Sequence, residues 1–103
     1  MKNLKILLMC SAGTSTSLLV AKMQEYCEDN GKEYTIDAMG VETGKQVMDE
    51  WDVLLLGPQL QFQIDSIRSL TTKRIEVIPP QIYGLVDGQA AVELAEEIYN
   101  ESK

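Results

Sequence analysis

The chain of 103 residues contains no histidine, one tryptophan, one phenylalanine and only two cysteines, Cys10 and Cys27. Without histidine a Cys–His dyad is excluded, and no phosphoryl group can be carried on an imidazole of this chain. Two isolated thiols make no zinc site, and no metal or other cofactor is expected. Long apolar runs are missing as well: Ile6-Cys10 and Val53-Leu56 are the longest, far short of the roughly 20 residues a membrane helix needs. Met1-Lys2-Asn3 leads into a strand pattern rather than the apolar region of a signal peptide. A soluble cytoplasmic chain with reduced thiols is therefore expected. Linkers, repeats and low-complexity tracts are absent, which suits one compact domain over residues 1–103. Positive charge is sparse and scattered, 9 Lys and Arg against 16 Asp and Glu for a net charge of −7, so no nucleic-acid partner is expected. A protein or small-molecule partner fits this balance better.

What is present is a regular alternation of apolar strands and amphipathic segments. Lys5-Met9 is apolar at every position from Ile6, and Val53-Leu56 reads the same way, as strands covered on both faces do. Tyr34-Met39 and Arg74-Ile78 alternate instead, which marks edge strands. Helical spacing predicts a first helix from about Thr16 to Asp29, stopped by Asn30-Gly31. A short helix is predicted over Gly44 to Glu50, and a third carries Leu60, Ile64 and Ile67, with Leu70 following. The last is capped by Asp87 and carries Ala91, Leu94, Ala95 and Ile98. With right-handed crossovers this β-α-β-α-β-α-β-α order gives an open four-stranded parallel sheet, strand order 2-1-3-4, with helices on both faces. Ligands of such sheets bind beyond the carboxyl ends of the strands beside the switch point. That places the site at Cys10, with Gly40-Thr43, Gly57-Pro58-Gln59 and Pro79-Gly84 as the other loops arriving there.

The segment Cys10-Ser11-Ala12-Gly13-Thr14-Ser15-Thr16-Ser17 stands between the first strand and the first helix. Its small residues let backbone N–H groups approach an anion, and the helix N-terminus adds a positive dipole end. A thiol in that position is favoured as thiolate. Cys10 thus reads as a nucleophile whose anionic product is held by Ser11, Ala12, Gly13, Thr14, Ser15, Thr16 and Ser17. Gln59 and Tyr83 are placed at the rim by topology alone. Cys27, on the apolar stripe about 11 residues along the helix and roughly 16 Å away, reads as core filler beyond disulfide reach. Trp51 reads as packing, and Glu93, Glu96 and Glu97 as a solvated face.

Absences within the loop narrow its chemistry. No Lys or Arg occurs between Lys5 and Lys22, so the Gly-Lys-Ser/Thr ending of nucleotide-binding loops is missing. Cysteine phosphatases with a strand–loop–helix of this kind place an arginine six residues after the nucleophile; here that residue is Thr16.

The stretches Cys10-Val20, Asp52-Gln59 and Tyr83-Gly88 resemble the enzyme IIB component of the bacterial phosphoenolpyruvate-dependent sugar phosphotransferase system, lactose/cellobiose class, over the whole chain. The resemblance implies a cytoplasmic phosphocarrier, working transiently at the inner face of the membrane, whose cysteine loop is like that of low-molecular-weight tyrosine phosphatases. It implies that Cys10 accepts a phosphoryl group from a phosphohistidine of enzyme IIA. The group then passes to a sugar such as cellobiose, lactose, chitobiose or a similar oligo-β-glycoside, bound by membrane enzyme IIC. A monomer is the expected state of a carrier that docks two proteins in turn. Two other readings share the architecture: a low-molecular-weight tyrosine phosphatase or arsenate reductase, disfavoured by Thr16, and a flavodoxin-like module binding FMN without covalent chemistry.

Overall fold

The structure, a computed structural model, describes residues 3–11 and 16–101. Strands β1 (Lys5–Cys10), β2 (Thr35–Gly40), β3 (Val53–Leu56) and β4 (Arg74–Val77) pair in parallel in the order β2-β1-β3-β4. Ile6 stands opposite Ile36 on one side and Val53 on the other, and Leu54 opposite Ile75. The ladder runs past the strand ends: Gly57 N–H donates to the Met9 carbonyl and Ile78 N–H to the Leu56 carbonyl, both at 2.8 Å. The two inner strands are buried at every position from Ile6 to Cys10 and from Val53 to Leu56, whereas β2 and β4 each bury a single residue, Ile36 and Ile75. Continuous apolar runs and alternating ones thus sort themselves between the centre and the edges of the sheet.

Because side chains alternate across a strand, each inner strand feeds two cores. Ile6, Leu8, Val53 and Leu55 pack with Leu19, Met23 and Cys27 of helix α1 (Ser17–Asp29) and with Ala91, Ala95 and Ile98 of helix α5 (Gly88–Glu101). Leu7, Met9, Leu54 and Leu56 pack on the other face with Val41, Met48, Trp51, Leu60 and Ile67. Each such fully buried side chain contributes about 1.5–3 kcal/mol of transfer free energy. Helix α5 opens as predicted, with Ala90 N–H donating to Asp87 Oδ1 at 3.0 Å. Its first residue touches α1: a Cβ on Gly88 would lie 2.4 Å from the Lys22 carbonyl carbon and 2.7 Å from Met23 N. Only glycine permits this approach.

The second face differs from the helical spacing. The helix predicted over Gly44 to Glu50 is replaced by helix α2 (Val41–Gly44) and a separate 3₁₀ turn, Met48–Glu50. Gly44 fixes the earlier position, since a Cβ there would stand 2.5 Å from Met9 Sδ. The third helix is a 3₁₀ segment, Pro58–Gln63, leading into helix α3 (Ile64–Arg68), with Leu60 bent out of helical geometry. At about three residues per turn rather than 3.6 the apolar positions lose their common face. Leu60 and Ile67 stay buried while Leu70 turns to solvent, 57% exposed. The segment Pro79-Gly84, predicted as a loop, is helix α4 (Pro80–Leu85), with Pro80 in the first helical position, where its missing N–H costs nothing.

Candidate functional site

Cys10 ends β1 at the carboxyl edge of the sheet and is buried. By strand alternation its side chain lies on the same face as Ile6 and Leu8, the face covered by α1. The chain re-enters the described structure at Thr16, the N-cap of α1, which is wholly buried (0% exposed). Its hydroxyl donates to Cys10 Sγ at 3.5 Å. The strand end and the helix start are thereby joined through side chains. An N-cap threonine ordinarily turns its oxygen to the first-turn N–H groups, worth about 1 kcal/mol; Thr16 makes no such bond. The first turn of α1 also carries no acidic residue to offset the positive end of the helix.

The sheet brings Gly57 directly beside the thiol. A Cβ built on Gly57 would lie 3.5 Å from Cys10 Cβ, 3.5 Å from the Met9 carbonyl oxygen and 2.9 Å from Gln59 Oε1. The Gln59 amide and the Cys10 side chain therefore flank one point, with Gln59 itself exposed to solvent. The loop Gly57-Pro58-Gln59 thus arrives at the thiol as strand order predicts, and the close approach at Gly57 is what a glycine just after a buried strand signals.

Of the predicted loop, Ser11 is exposed, Thr16 buried, and Ser17 is the exposed first residue of α1. Ala12, Gly13, Thr14 and Ser15, and with them the phosphatase-like course of the cysteine loop, lie outside the described residues. Tyr83 sits on α4, half-buried against the core shared with Leu19 and Val20 of α1. Its hydroxyl is buried and has no hydrogen-bond partner among the described residues.

Cys27 is buried in the α1–α5 core, as its place on the apolar stripe implied, and neither cysteine is in a disulfide. Burial pushes the Cys27 thiol up, with smaller opposing influences of Lys32 and Glu96. Glu96 corrects the reading of α5's acidic residues as a solvated face. It accepts hydrogen bonds from Lys32 Nζ at 2.8 Å and from the Tyr34 hydroxyl, and is only 26% exposed. Burial acts to raise the Glu96 carboxyl, but these two donors outweigh it and hold its pKa below the usual carboxylate range. Trp51 is buried packing, with Lys5 Nζ 5.2 Å from its ring centre. Among the described residues no cluster of acidic residues and thiols could hold a metal, and no helix is long and apolar enough to cross a membrane.

Residues 5–94 match the family described as PTS system, lactose/cellobiose specific IIB subunit. The chain is 43% identical to an oligo-beta-mannoside-specific EIIB component of Bacillus subtilis (strain 168), covering 88% of this chain and 91% of that one. It is 40% identical to a cellobiose-specific EIIB component of Lactococcus lactis subsp. lactis (strain IL1403), over 92% and 95% of the two chains. The solution structure of a cellobiose-specific IIB component from Borrelia burgdorferi superposes with a TM-score of 0.83 at 32% identity, covering 99% of this chain and 96% of the other. A lactose-specific IIB domain from Streptococcus pneumoniae shares the fold, with a TM-score of 0.81 at 16% identity over 95% and 99%. EIIB components are phosphotransferases that work with EIIA and EIIC partners in sugar transport. On this breadth of match the chain belongs to the lactose/cellobiose-specific IIB subunit family of the sugar phosphotransferase system.

Proposed function

We propose that residues 1–103 act as one phosphocarrier domain in which Cys10 holds the phosphoryl group in transit. The observation that carries this reading is the position of Cys10 at the end of the central strand, bonded to the N-cap residue of α1. The chain has no histidine, so the covalent carrier must be another nucleophile, and a thiolate beside a helix N-terminus is the strongest one available. The phosphoryl group comes from a phosphohistidine of a IIA protein. It leaves to a hydroxyl of a β-linked sugar, of the cellobiose, lactose or chitobiose kind, held by a membrane IIC protein.

Backbone N–H groups of Ser11, Ala12, Gly13, Thr14, Ser15, Thr16 and Ser17 and the dipole of α1 hold the dianion, an arrangement that needs no cation. Gln59, beside Cys10, contributes its side-chain amide to the rim. Tyr83 offers a hydroxyl to the same end of the sheet. With Thr16 where hydrolytic relatives of this architecture have arginine, the phosphoryl group is held without a guanidinium clamp. It remains transferable, and its hydrolysis stays slow. The carrier works as a cytoplasmic monomer that visits the inner face of the membrane when it meets the IIC partner.

The test is to incubate the protein with labelled phosphoenolpyruvate, the general phosphotransferase proteins and a IIA component, and to identify the labelled residue. Label on Cys10 is expected; label elsewhere overturns the assignment.

A further inference from the structure

The hydroxyl of Thr16 does not cap the helix it begins. It makes no bond to the first-turn N–H groups of α1, and its oxygen lies 3.5 Å from Cys10 Sγ as donor. A threonine hydroxyl has one proton to give, and a wholly buried residue holds that geometry away from bulk solvent. The hydroxyl, as donor in this bond, directs its proton to sulfur, whatever the backbone N–H of the same residue does in the cradle.

Resting on the reading of Cys10 as the phosphoryl carrier, we propose that Thr16 is a catalytic residue whose hydroxyl stabilises the Cys10 thiolate, both as nucleophile and as leaving group, and does not bind the phosphate. In acceptance, a sulfur lone pair forms the S–P bond while the P–N bond of the donor phosphohistidine breaks, its electron pair staying on the imidazole nitrogen. In donation, a sugar hydroxyl oxygen forms the O–P bond and its proton passes to a base on the sugar-bearing partner. The S–P bond breaks with its electron pair returning to sulfur. Sulfur therefore carries full charge before acceptance and after donation, and little while the phosphoryl group is attached. A donor fixed on sulfur strengthens as the S–P bond breaks, because a hydrogen bond to an ionised acceptor is about twice as strong as one to a neutral group. Such a bond favours the transition state over the phosphorylated ground state. Thr16 would thus keep the phosphoryl group mobile without a cation.

The test compares Thr16→Val with Thr16→Ser, both carrying Cys27→Ser so that Cys10 is the sole thiol. Three quantities are measured: the pH dependence of alkylation by iodoacetamide, the half-life of the phosphocysteine, and its transfer to a sugar bound by the IIC partner. In Thr16→Val the alkylation profile should move up by about one pH unit. Onward transfer should fall about tenfold, and the phosphocysteine should outlive that of the parent, since its breakdown also expels sulfur. Thr16→Ser should restore all three. A shorter half-life in Thr16→Val with an unmoved alkylation profile puts the hydroxyl on phosphate and overturns the proposal. Equal losses in both variants with a lowered melting temperature reduce Thr16 to packing and overturn it too. Absence of label on Cys10 in the parent protein overturns the underlying reading instead, and is seen before any Thr16 variant is made.

Discussion

The two cysteines are almost equally buried, 1% exposed at Cys10 and 3% at Cys27, and lie near opposite ends of α1. Their surroundings differ in kind. Cys27 sits in an aliphatic core beside a balanced charge group, Lys32, Tyr34 and Glu96, and burial pushes its thiol up. Cys10 faces a hydroxyl donor at a helix start with no acidic residue in its first turn. Burial therefore does not decide what a thiol is for; the direction of the nearest donors and dipoles does. At the Cys27 end the charges satisfy one another and fasten β2 to α5. At the Cys10 end the Thr16 hydroxyl donates to the sulfur.

The sharpest way to break this contrast is to remove each thiol in turn. Cys10→Ser should abolish phosphoryl acceptance from phosphorylated IIA, while Cys27→Ser should retain it within about twofold, because only a thiolate at the strand end is nucleophilic enough. Equal loss in both, with unchanged melting temperatures, would show that the two ends are not distinct.

The next largest effect falls on the contact that fixes α1 between them. Gly88→Ala should destabilise the fold by about 3 kcal/mol, since the new methyl must push α5 away from the α1 backbone at Lys22 and Met23. Denaturant unfolding measures it. A change below about 0.5 kcal/mol would mean that the two helices part freely and that α1 is not held in register by this glycine.

Lys32→Met should cost about 1 kcal/mol at neutral pH and leave transfer unchanged, because it strands the partly buried Glu96 carboxylate. The pH dependence has a defined sign. Glu96 is held below its unfolded pKa, so its contribution is present above the ordinary carboxylate range and is lost as pH falls through the lowered value. The melting temperature of the parent should drop more steeply on acidification than that of Lys32→Met. Parallel curves would deny the network a role in acid stability.

The smallest effect is expected of Tyr34→Phe, about 0.5–1 kcal/mol for one donor lost to a partly exposed carboxylate. Burial, and then the bond to Glu96, push the Tyr34 hydroxyl up to about 12. Its contribution is present below the ordinary phenol range and is lost as pH rises toward that value. The parent should therefore lose stability between roughly pH 10 and 12 in a way that Tyr34→Phe does not. Identical alkaline melting curves would remove Tyr34 from the network.

Much of this was legible in the residues. Unbroken apolar runs at Ile6-Met9 and Val53-Leu56 can only be central parallel strands, and the alternation around Ile36 and Ile75 can only suit edges, because a strand's side chains must find cover on the faces they point to. The place of Cys10 follows from strand order, and that of Cys27 from helical period. Less legible were segments governed by contacts distant in sequence. Helix α2 lies where Gly44 meets Met9, and Pro58–Gln63 tightens into 3₁₀ turns. Helix α4 forms from a stretch whose two prolines read as a loop.

By itself the sequence determined the sheet order and the strand end at which a thiol meets a helix, because hydrophobic period and strand connectivity are local properties of the chain. Only the tertiary structure decided which groups face that thiol. Thr16 could cap its helix or reach for sulfur, Glu96 could be solvated or paired, and Gln59 could point anywhere at the rim. Such choices among nearly equal local conformations turn on neighbours supplied by other elements, Cys10 from β1, Lys32 and Tyr34 near the start of β2, and Gly57 after β3, which no local pattern encodes.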